Sequence, residues 1–272
     1  GEDGGLAAMR GLHLCCWADG PRTVQRRLGS LQNEMAQRHL AGAGGRSPSQ
    51  TALASAATQF RCALAAFEAA HDVSNVALVL GNLAKVARHC AALPTHTGGA
   101  EEPHLEGTQV ARVKAPLEHY QDAAALCRAA AAVLGRREAQ ANQWVWNVVQ
   151  MELAACQLAE GVYRLQRPTY DMPEGVGANR AAAVELLTRA LQLFQAVGNV
   201  AAGQLAVAHY HLGHALSQEL LEGAAEARRR GSPRATLATR HLEKSLSFFT
   251  ASEYPFDFVR ASLQLARLHE GL

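Results

Sequence analysis

Residues 59–92 read QFRCALAAFEAAHDVSNVALVLGNLAKVARHCAA, two helical patterns joined by a short turn. In the first, Phe60, Ala63, Leu64 and Phe67 recur at the spacing that lines one face of a helix. In the second, Val76, Val79, Leu80, Leu83, Val86, Ala87 and Cys90 extend such a stripe for nearly four turns. Between them lies His71-Asp72-Val73-Ser74-Asn75, where Asp72 or Ser74 can accept from the unpaired N–H groups that open the second helix. The stretch is therefore a helical hairpin. One hairpin cannot bury both of its stripes, so it calls for similar neighbours on either side.

Working outward, the same pattern recurs. The sequence predicts an irregular lead-in over 1–20 and then a single helical-repeat domain over 21–272. A first strong helix is expected from Thr23 to Leu40, with Val24, Leu28, Leu31 and Met35 on one face. Loops rich in Gly and Pro are expected near 41–49, 93–108, 166–178 and 228–233. Gly135 stops one helix, Asn179 caps another, Gly198-Asn199 ends that one, and Ser232-Pro233 starts a further one. Composition agrees: alanine takes over much of the apolar role while aromatics are only 6% of the chain, which favours closely approaching helices. No sustained strand pattern is present.

About nine helices result, of two kinds. One kind carries Leu-Gly at its centre, at Leu28-Gly29, Leu80-Gly81 and Leu212-Gly213, with Val149 and Leu263 in equivalent places. The other carries small and large residues in the order Ala183, Leu187, Ala190 and Ala238, Leu242, Ser245. A glycine inside a helix costs about 1 kcal/mol, so its recurrence at one repeat position implies close helix crossing. These are degenerate marks of the tetratricopeptide repeat. The fold expected is an all-α superhelical array of antiparallel hairpins.

Chemistry is sparse by comparison. A formal charge of +2 gives no global case for nucleic acid, and no apolar run is long enough to span a membrane. The cysteines at 15, 16, 62, 90, 127 and 156 have no C-x-x-C spacing and mostly fall on apolar helix faces, which fits a reducing compartment. His211-x-x-His214 is the one metal-like spacing, but a structural site wants four ligands. Gly42 to Gly45 with Arg46-Ser47 lacks the Lys and the strand of a phosphate loop. Arg228-Arg229-Arg230 is the densest positive cluster, and it lacks the interleaved aromatics of a single-strand binder. No catalytic residue, metal or cofactor is expected.

At residues 26–35 and 74–90 the chain resembles the C-terminal repeat region of the erythroid differentiation-related factor 1 family. A Tyr120 helix, a Trp146-bearing helix, a His-rich helix at 209–214 and a closing pair follow in the same order. The resemblance implies a helical-repeat scaffold within a larger nuclear or cytoplasmic protein linked to transcriptional control. The Gly-Glu-Asp-Gly-Gly start without Met is read in the same sense, as part of a longer protein. In tetratricopeptide arrays the first helix of each pair lines a concave groove. That register assigns Asn33, Asn82, Lys85, Tyr210, His214 and Gln218 to a surface for a protein or peptide partner. A regulator touching nucleic acid through basic patches, or a helical enzyme, are the alternatives.

Overall fold

The computed structural model describes residues 3–41, 47–93, 115–166, 175–198, 201–223 and 232–272, with side chains except at 3–19, 136–141 and 176. Among them are nine helices and no strand: α1 (Asp3–Ala41), α2 (Gln50–Ala69), α3 (Val73–Ala92), α4 (Pro116–Ala141), α5 (Gln143–Gln166), α6 (Gly175–Val197), α7 (Ala202–Glu222), α8 (Pro233–Leu246) and α9 (Pro255–Gly271). They form two compact units, Gly1–Val149 and Gln150–Leu272. Neighbours in the chain pack on one another, as a hairpin array requires.

The turn between α2 and α3 forms as its sequence dictates. His71 takes a left-handed conformation, φ 52°, and the N–H of Asp72 donates back to Phe67 O at 2.9 Å, closing the end of α2. The Asp72 carboxylate then accepts from the N–H of Asn75 at 3.2 Å and opens α3. Ser232 caps α8 in the same way, with Pro233 in the first turn. Gly198, at φ 88°, closes α6.

The short-turn pair α2–α3 is nevertheless not the tightest hairpin. α1 packs more extensively on α2, and α3 on α4, with α7 on α8 next. The sequence register explains why. A trio of buried residues recurs on every second helix: Ala63, Phe67 and Ala70; Ala123, Cys127 and Ala130; Ala183, Leu187 and Ala190; Ala238, Leu242 and Ser245. In three of the four trios the middle residue meets a glycine on the preceding helix. A methyl group on Gly29 would lie 2.9 Å from the Phe67 ring, on Gly161 2.9 Å from Leu187, and on Gly213 2.8 Å from Leu242. The hairpins are thus α1–α2, α3–α4, α5–α6 and α7–α8.

Each unit has its own core. In the first, Leu53, Phe60, Phe67, Val76, Val79 and Val86 form one cluster and Leu134, Val145 and Val149 another. In the second, Leu187, Phe194, Leu212, Leu220, Leu242 and Leu268 join in one.

Several expectations are corrected. The chain is helical from Asp3, where an irregular lead-in was expected; Leu, Ala, Met and Arg between the glycines there are strong helix formers. Asn179 lies inside α6, 3% exposed, and caps nothing. Its side chain instead accepts from Arg164 at 3.3 Å, and Arg164 pairs with Glu160 at 3.0 Å, both side chains nearly buried. Gly81 meets nothing within 4 Å, and the close approach on α5 is at Gly161 rather than beside Val149. α5 begins at Gln143, and Trp144 in its first turn is exposed. Cys62 is exposed as well, while Cys127 and Cys156 are buried. Most of the expected loop residues, and Arg228-Arg229-Arg230 with them, lie outside the described residues.

Candidate functional site

In the first unit the assigned residues lie on α1 and α3. The Asn82 side-chain amide donates to the Asn33 carbonyl at 3.1 Å, so these two residues tie the first helices of successive hairpins together. Both are half-buried, and each amide keeps further hydrogen-bonding capacity. Lys85 follows one turn later on α3, also half-buried. Its charge and that of Arg88, added to burial as the main cause, hold His89 below the ordinary imidazole range.

Beside them an open cavity of about 620 Å³ lies between α2, α3 and α4. Its walls are Ala57, Leu83, Val86, Ala87, Leu126 and Ala129, and its polar groups are Arg61, Cys90, His119 and Asp122. Burial pushes the Cys90 thiol up, which leaves it protonated and poorly nucleophilic. None of the assigned residues lines this cavity. The signal for it was the alanine spacing of α4 opposite Ala87, which removes bulk where three helices meet.

In the second unit Tyr210 and His214 stack in parallel on α7, ring centres 6.0 Å apart. The Arg260 guanidinium of α9 covers the Tyr210 ring at 4.8 Å while also pairing with Asp257 at 3.4 Å. Gln218 is half-buried one turn beyond His214. The six assigned residues therefore divide into Asn33, Asn82 and Lys85 in one unit and a stacked Tyr210–His214 pair with Gln218 in the other.

The histidine pair that meets is not His211 with His214. His209 of α7 and His241 of α8 approach Nδ1 to Nδ1 at 2.7 Å, so one ring donates to the other, a pairing across residues far apart in sequence. Burial first, then His241, Lys244 and Arg240, lower His209 to about 4. Burial with Lys244 and Arg240 brings His241 to about 4 as well. His211 falls to about 4 through burial, Arg260 and His214, and His214 is lowered by burial and by Arg260, Arg267 and Arg180. These imidazoles are neutral packing groups at pH 7. Among the described residues no three His, Cys, Asp or Glu side chains are placed to hold a metal ion, and no helix is long and apolar enough to cross a membrane.

Compared with protein-family models, curated proteins and solved structures, the chain finds no match.

Proposed function

We propose that this chain is a non-catalytic protein-interaction scaffold, its hairpins presenting a groove to a peptide or helix of a partner. The alanine-walled cavity between α2, α3 and α4 carries the reading. Its volume suits one or two large apolar side chains. Its polar groups come from separate helices, and the one thiol among them is held protonated, which suits recognition better than a reaction. Asn82 and Lys85, on a neighbouring face of α3, would add hydrogen bonds to a partner backbone or carboxylate. The resemblance to the erythroid differentiation-related factor 1 family supports a place in a larger transcription-related regulatory protein of the nucleus or cytoplasm.

The test is affinity capture from cell extract with the 272-residue chain, with and without nuclease. Asn82→Ala/Lys85→Ala and the cavity-filling Ala87→Phe are the comparison baits. Protein partners that survive nuclease and are lost with both variants support the scaffold. Recovery only through nucleic acid, or capture indifferent to both variants, contradicts it.

A further inference from the structure

α1 packs against its neighbours with its small side and turns its large apolar residues outward. Gly29, Ala36 and Leu40 are buried, and Gln25, Gln32 and Asn33 lie half-buried along the same face. The Gly29 contact with Phe67 sets that orientation, since any side chain there would strike the ring. The consequence is that Val24, Leu28, Leu31 and Met35 are 63%, 43%, 61% and 47% exposed. An outward stripe of large apolar residues on a stacked helix needs a cover.

Their spacing of four, three and four residues is the seam of a two-helix coiled coil, with the stripe at the a and d positions. Arg27 and Glu34 then occupy the positions that flank it on one side, and both are exposed. Laid antiparallel on itself, the stripe sets Val24 against the partner's Met35 and Leu28 against the partner's Leu31. The same register sets Arg27 against the partner's Glu34, and Glu34 against the partner's Arg27. A parallel arrangement loses both of these ion pairs.

We propose that the Val24–Met35 face of α1 is a self-association surface, on which a second copy of this chain docks its own α1 antiparallel about a two-fold axis. Such a contact is short, so it gives a dimer with Kd on the order of 10 µM. The surface is distinct from the α2–α3–α4 cavity, and the proposal does not rest on the scaffold reading.

Sedimentation equilibrium of the 272-residue chain across that concentration range tests it. The wild type is expected to pass from monomer to dimer. Leu28→Glu/Leu31→Glu should stay monomeric with unchanged helical circular dichroism, because both side chains already face water. Arg27→Glu sets like charges opposite each other twice and should weaken the dimer about tenfold, and Arg27→Glu/Glu34→Arg should restore it. A monomer at every concentration overturns the proposal. So does a dimer that ignores the charge exchange, or one lost with Val259→Glu/Leu263→Glu of α9 and untouched by the α1 variants.

Discussion

In α3–α4 the middle residue of the repeated trio is Cys127, and Gly81 of α3 has nothing within 4 Å of where a side chain would begin. In α7–α8 the middle residue is Leu242, which presses on Gly213 with both its side chain and its backbone nitrogen. One register is thus finished in two ways. The first hairpin keeps open space and borders an apolar cavity, whereas the second is filled, with His209, Tyr210, His214 and Arg260 packed around it. A repeat position fixes where helices cross; the size of one side chain there decides how completely the space at the crossing is filled.

The contrast is broken most forcefully at the middle residue itself. Leu242→Ala should cost about 3 kcal/mol in denaturant unfolding, because a fully buried side chain leaves a cavity that its surroundings only partly fill. Cys127→Ala, also fully buried, should cost about 1 kcal/mol.

Acid separates the two units next. His209, His211 and His241 in the second unit have pKa values near 4 in the folded chain against 6.5 when unfolded, and His214 is lowered too. In the first unit His89 is lowered. The unfolded chain therefore binds protons first as pH falls. Stability is full above pH 6.5 and is lost progressively between 6.5 and about 4. For the well-buried His211 alone the loss is about 2 kcal/mol by pH 5. The three tryptophans, Trp17, Trp144 and Trp146, lie in the first unit, so on acidification helical circular dichroism should fall before their fluorescence shifts. A simultaneous change would mean that the histidines do not set the order.

The smallest effect sharpens the link between α1 and α3. In a double-mutant cycle of Asn33→Ala and Asn82→Ala, unfolding free energies should show a coupling of about 1 kcal/mol. No coupling would mean that the two amides are paired equally well by water.

Much of this architecture was legible in the residues. Asp72 and Ser232 announce helix starts, Gly198 announces a stop, and Ala183, Leu187, Ala190 mark one of the packed faces. What periodicity could not tell was which neighbour a face meets. Val24, Leu28, Leu31 and Met35 form the stripe their spacing predicts, yet it points outward because Gly29 on another face permits closer approach to α2. Gly161 went unread because no Leu precedes it, although its contact with Leu187 repeats the pattern. The binding candidates were the least legible. Asn33 with Asn82 and His209 with His241 join different helices, and a cavity is a property of what several helices leave empty.

The measurement that most directly tests the shared register is the unfolding free energy of Gly81→Ala beside Gly213→Ala. The two changes have the same gain in helix propensity, about 1 kcal/mol. At Gly81 nothing opposes it, so the variant should be more stable than wild type by roughly that amount. At Gly213 the new methyl meets Leu242 at 2.8 Å and its backbone nitrogen at 3.1 Å, so overpacking of about 2 kcal/mol should outweigh the gain. Opposite signs are the predicted result. Two variants stabilised alike would contradict the close crossing at Gly213, and with it the register on which the hairpins have been aligned.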